Sequence, residues 1–83
     1  MYKIIFEKQP LDFFNKLDKD FQERIGKKIE ELKQNPRKGI PLIGNLAGLY
    51  KLRAGDYRII YKIINEKLTI LIIKIGHRKN VYD

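Results

Sequence analysis

No cysteine occurs in the 83 residues, which excludes disulfides and thiolate metal sites. A single histidine, His77, argues against a multi-histidine metal centre, and no cofactor is expected. No apolar run approaches the roughly 20 residues that cross a bilayer, so no membrane association is expected. The opening M-Y-K-I-I-F-E-K lacks the apolar core and cleavage site of a secretory signal. The expected compartment is the cytoplasm, by elimination. A P-loop, a zinc finger and a groove-reading helix are also missing. The length suits one domain over residues 1–83, with no repeat, low-complexity tract or linker. Acidic residues are scarce: 10 Asp and Glu stand against 18 Lys and Arg, for a net charge of +8. Residues 1–48 hold ten cations and seven anions, and residues 49–83 hold eight and three. The excess argues for a polyanionic partner, although a Lys-rich surface with no partner would give the same count.

What is present reads as an α+β chain. Met1 to Phe6 is short and rich in Ile and aromatics, which predicts a strand. Gln9-Pro10 predicts a helix start with Pro at the first position, and Leu11, Phe14 and Leu17 keep helical spacing. Asp18-Lys19-Asp20 breaks that helix, and Asp20 with Glu23 has the form of a capping box for the next. Phe21, Ile25, Ile29 and Leu32 then mark one helical face, with Lys27, Glu30, Glu31 and Lys33 opposite. Asn35-Pro36 ends the helix. Pro36 to Gly48 reads as a long loop, pinned by Ile40, Leu42, Ile43 and Leu46. Strands follow at Leu49–Ala54, Tyr57–Ile64 and Leu68–Ile75, the last two joined by Asn65-Glu66-Lys67. The last strand is apolar at nearly every position, as central strands are. The expected architecture is an N-terminal strand, a two-helix hairpin and a three-stranded antiparallel meander, with the helices on one sheet face.

The stretch Y-K-L-R-A-G-D-Y-R-I-I-Y carries the sharpest signal. If Gly55-Asp56 is a two-residue turn, Ala54 pairs with Tyr57 and Arg53 sits opposite Arg58. Alternation then places Leu52, Ile59, Tyr61 and Ile63 toward the helices. It places Lys51, Arg53, Arg58 and Lys62 on the other face, with Ile60 and Ile64. Like charges directly opposite destabilise a sheet, so a water-facing patch is expected. If the last strand lies beside Tyr57–Ile64, Arg78 arrives at the Arg58 end and Tyr82 follows one turn later.

Converging cations suit a phosphate backbone, because guanidinium forks match phosphate oxygens and lysine acts as a point charge. RNA cleavage by its own 2′-hydroxyl needs a base, an acid for the leaving 5′-oxygen, and positive charge on the transition state. Arg58 and Arg78 are candidates for the charge. Lys51 and His77 are candidates for proton transfer, and Tyr82 for an acid or a stacking ring. Arg53, Lys62, His77 and Lys79 are candidate RNA contacts. Asp56 serves the turn, which argues against a carboxylate-based hydrolase.

With these residues the chain resembles toxins of the RelE/ParE superfamily, RelE branch. The likeness runs through the paired helices, the P-L-x-G-x-L-x-G approach (Pro41 to Gly48), the hairpin above and the closing G-H-R-K-x-V-Y. The resemblance implies a ribosome-dependent, metal-independent mRNA endoribonuclease that cuts A-site codons. It implies a RelB-like antitoxin that neutralises the toxin, with operator DNA bound only through that complex. It implies that Lys51 is a base or transition-state stabiliser, that Arg58 and Arg78 hold the scissile phosphate, and that Tyr82 stacks on a base or assists the chemistry. Arg53 matches a frequently basic hairpin position. Leu49 stands where some members carry a second lysine. A gyrase inhibitor on the same fold and a non-catalytic RNA- or ribosome-binding module are the other readings.

Overall fold

A computed structural model describes residues 1–81. Tyr82 and Asp83 lie outside the described residues. The chain runs β1 (Lys3–Phe6), α1 (Lys8–Asn15), α2 (Lys19–Glu31), β2 (Ile40–Pro41), β3 (Leu49–Ala54), β4 (Tyr57–Ile64) and β5 (Thr69–His77). The strands form one five-stranded sheet in the order β1-β5-β4-β3-β2. The meander β3-β4-β5 is antiparallel, as the patterning demands. β1 lies parallel to β5, so the near-continuous apolar run of the last strand is an interior strand, flanked by β1 and β4.

The helices cover one face. Ile25, Ile29 and Leu32 are fully or almost fully buried, and they pack with Leu52, Ile59, Tyr61, Ile70, Ile72 and Ile75. That is the face alternation assigns, and burying each of these aliphatic side chains stabilises the fold by roughly 1.5–3 kcal/mol. Phe14 and Phe6 meet at 5.8 Å, and Tyr57 packs edge-on against Phe13 and Phe21, which ties both helices to the sheet.

Several local expectations are corrected. Pro10 is not the first helical residue but the third of α1, still within the turn whose N–H groups have no helical partner. α2 starts at Lys19 after Asp18, with no side-chain cap, so the Asp20–Glu23 box does not form. The loop after α2 contains a short strand: Ile40 pairs with Lys51 and Pro41 with Tyr50. Leu42 and Leu46 are partly buried, but Ile40 and Ile43 are 55% and 86% exposed and do not pin the loop. Hydrogen bonds to Tyr61 pin it instead. The Tyr61 hydroxyl accepts the Gly39 N–H at 2.9 Å and donates to the Pro36 carbonyl at 2.6 Å.

β5 also carries a bulge. Ile60 pairs with Lys74 while Tyr61 pairs with Ile72, so Ile73 is an extra residue without a partner on β4. Ile72 and Ile75, three apart, therefore both enter the core. Strict alternation would have sent one of them to the other face.

Candidate active site

The β3–β4 turn forms as its residues require. Gly55 takes φ +61° at the first central position and Asp56 keeps a negative φ, the sign pattern of a type II′ turn. Ala54 pairs with Tyr57, and Arg53 lies opposite Arg58. The structure shows how two facing cations coexist. Arg58 Nη1 donates to the Gly55 carbonyl at 2.9 Å and to the Tyr57 carbonyl at 3.0 Å. The negative ends of the turn's own peptide dipoles thus offset one charge. Arg58 is only 5% exposed, which corrects the expectation of a patch wholly in water; Arg53 alone of the pair is exposed.

The other cross-strand partner of Arg58 is Gly76. A Cβ at Gly76 would meet Val81 Cγ2 at 2.5 Å. Glycine there leaves the space that the returning tail fills, and Val81 is 9% exposed. Arg78 directly follows β5 at the same end of the sheet. Its backbone N–H donates to the Asp56 carbonyl at 2.8 Å, and its Nε lies 3.9 Å from the Asp56 carboxylate. Asp56 therefore ties the tail to the hairpin turn.

Pairing rows define the open face. One row reads Ile40, Lys51, Ile60, Lys74, and the next reads Arg53, Arg58, Gly76. The bulge places Lys74 beside this group, which sequence reasoning missed. No signal in the sequence marks it, because every position from Ile70 to Ile73 is apolar. Lys62 shares the face and is exposed, but it pairs with Leu49 and Leu71, four residues along β4 from Arg58, or about 13 Å at ~3.3 Å per residue. His77 is not brought to the patch. It pairs with Tyr57 and sets its ring against that tyrosine at 6.1 Å, on the helix side. Its Nδ1 accepts the Lys79 N–H at 3.3 Å, and the Lys79 side chain is exposed. The Tyr82 assignment falls outside the described residues.

Across all five strands the open face carries Lys3, Lys51, Arg53, Arg58, Lys62 and Lys74, and no strand contains a carboxylate. Such a face can hold a polyanion along its length. At the Arg53–Arg58 end it can concentrate positive charge on one phosphate.

Comparison with known proteins identifies the family and the fold. Residues 4–82 match the family described as the ParE toxin of the type II toxin–antitoxin system parDE. The mRNA interferase toxin RelE of Escherichia coli K12 is 30% identical over 80 residues, covering 94% of this chain and 84% of that one. A putative RelE-like toxin from Escherichia coli is 31% identical over 86 residues, covering 99% and 90%. Among solved structures, a chain of the RelBE2 toxin–antitoxin complex of Mycobacterium tuberculosis superposes with a TM-score of 0.82. It is 30% identical, with 93% of this chain and 98% of that one covered.

Proposed function

The chain belongs to the RelE/ParE toxin superfamily, and from that membership we propose that it silences translation as a ribosome-dependent, metal-independent mRNA endoribonuclease. The observation that carries this reading is the open sheet face, with six cations and no carboxylate on its strands. Six positive charges on one face suit RNA phosphates, and among the described residues no strand brings a carboxylate there to hold a metal ion. Nearby relatives bearing the name mRNA interferase favour RNA over gyrase as the target.

In this reading the mRNA 2′-oxygen attacks the adjacent phosphorus. The O2′–P bond forms as the P–O5′ bond breaks. The 2′-hydroxyl gives up its proton, with Lys51 as candidate base, and the leaving 5′-oxygen gains one. Arg58 and Arg78 hold the phosphate and stabilise the charge that builds on it. Tyr82 stacks on a base or supplies the leaving-group proton. Arg53 and Lys79 contact flanking RNA, and Lys62 does so farther along the face. The ribosome supplies the mRNA codon in a fixed pose, which a small sheet without a deep cleft does not.

The same proposal includes a RelB-like antitoxin, since solved structures of this fold include toxin–antitoxin complexes. A groove of about 470 Å³ lies between α2 and the hairpin turn. Phe21, Ile25 and Ala54 give it apolar walls, and on its rim the cations Arg24, Lys27 and Lys28 outnumber the carboxylates of Glu31 and Asp56. It suits an acidic amphipathic segment of the antitoxin. Arg24 stacks its guanidinium 5.6 Å from the Phe21 ring. Arg24→Ala is expected to weaken antitoxin binding about tenfold by titration calorimetry, with mRNA cleavage unchanged. An unaltered affinity would remove α2 from the interface.

The function itself is tested by primer extension on an mRNA in a translation extract. Discrete cuts at A-site codons are expected with EDTA-treated protein, and they should vanish when ribosomes are omitted. Folded protein that leaves the mRNA intact would defeat the ribonuclease reading, and a gyrase supercoiling assay would then take its place.

A further inference from the structure

The buried phenol of Tyr61 has no part in the chemistry above, yet it is placed with unusual economy. The side chain is fully buried, and its ring stacks on Tyr50 at 5.3 Å. Its hydroxyl bridges two points of the loop after α2, accepting from Gly39 N–H and donating to Pro36 O. Burial raises its pKa, so the hydroxyl keeps the proton it donates. Space at Gly39 is fully used: a Cβ there would lie 2.8 Å from both the Lys51 carbonyl and the Tyr61 hydroxyl.

The residue after Gly39 is Ile40, the cross-strand partner of Lys51. β2 has only two residues, and past its C-terminal end the Leu42 N–H donates to the Leu49 carbonyl at 2.9 Å. The ladder thus holds so short a strand at that end, and the Tyr61 bridge at Gly39 anchors the other. Directly opposed residues share a sheet face, with Cβ atoms about 4.5–5.5 Å apart. The Ile40 side chain thus stands beside the Lys51 chain on the open face. Ile60 flanks Lys51 from β4, and Leu49 lies two residues back on the same strand. Three apolar neighbours leave one side of the lysine bordered by charge, the side of Arg53 and Arg58.

We propose that Tyr61 is a positioning residue for Lys51: its hydroxyl fixes β2, and Ile40 on β2 directs the lysine chain toward the Arg53–Arg58 end of the patch. As far as turnover is concerned, this rests on the ribonuclease reading. The side-chain order of Lys51 is independent of that reading.

Two single variants and their combination test it. Tyr61→Phe keeps the stacked ring and removes both hydrogen bonds. Ile40→Ala keeps the bridge and removes the wall; Ile40 is 55% exposed, so the core is untouched. Each is expected to lower the maximal cleavage rate about tenfold, with the half-saturating concentration of programmed ribosomes changed less than twofold. The double variant should be no slower than the slower single one, because both act on one path. Carbon relaxation at the Lys51 ε-methylene should report greater disorder in both singles. Wild-type turnover in Tyr61→Phe, or multiplied losses in the double variant, would overturn the proposal. So would unchanged Lys51 order in the two singles, whether or not the parent protein cuts mRNA. Failure of the parent protein to cut would strike the ribonuclease reading alone.

Discussion

Arg58→Lys is expected to slow mRNA cleavage at least a hundredfold and Arg58→Ala about a thousandfold, the range seen when a preorganised charge is removed from a transition state. Lysine keeps the charge but not the planar fork. At Arg58 the fork has two tasks. Through Nη1 it satisfies two turn carbonyls, which fixes the plane of the guanidinium, and in the proposed mechanism that plane meets the phosphate. A lysine ammonium satisfies such carbonyls only by turning its charge toward them. Because Arg58 is nearly buried, the alanine variant also loses packing and hydrogen bonds, for a stability cost of about 1–3 kcal/mol. Circular dichroism melts must accompany the rate measurements for that reason. Arg58→Lys that is folded and cleaves at the parent rate would remove Arg58 from the site.

A second large effect is expected from a pair of neighbours on β5. Ile72→Ala should cost about 2–5 kcal/mol, because Ile72 is fully buried against Tyr61 and the helices. In a domain of this size a loss near 3 kcal/mol lowers the melting temperature by roughly 12–24 °C. Ile73→Ala, one residue on, should cost less than about 1 kcal/mol, since Ile73 is the unpaired bulge residue and only partly buried. Thermal melts of the two variants read the contrast directly. Equal losses would mean that the bulge is elsewhere, and Lys74 would then leave the open face. The stability test thus bears on the site, because the same register that buries Ile72 and Ile75 turns Lys74 outward.

Much of this arrangement was legible in the chain because its causes are local. Gly55-Asp56 offers the positive φ that a tight hairpin needs at its first central residue, and the Arg53–Arg58 pairing follows at once. Phe21, Ile25, Ile29 and Leu32 repeat at helical spacing, so the buried face of α2 could be named without knowing what covers it. Alternation along β3 and β4 sorted Leu52, Ile59 and Tyr61 from Lys51, Arg53, Arg58 and Lys62, and the sheet keeps that division. The resemblance to RelE toxins rested on the same hairpin and closing motif.

Other features depend on which distant segments meet, and periodicity carries no record of that. The parallel pairing of β1 with β5 joins residues more than sixty positions apart. The bulge at Ile73 suspends alternation to satisfy two core isoleucines, and Lys74 changes face as a result. His77 is the obvious proton carrier by type, yet its pairing with Tyr57 sets it on the helix side. Arg58 was placed on the correct face with the wrong exposure, because the turn carbonyls and the space beside Gly76 become neighbours only in the folded sheet. The Tyr61 bridge to Pro36 and Gly39 spans more than twenty residues and looks like ordinary core packing in the sequence. The sequence by itself therefore determined the elements, their buried faces and the cationic hairpin, since each follows from the period and turn chemistry of a short segment. The tertiary structure alone decided which cations share a row, which is sheltered and what steadies Lys51, because those depend on long-range register and close packing.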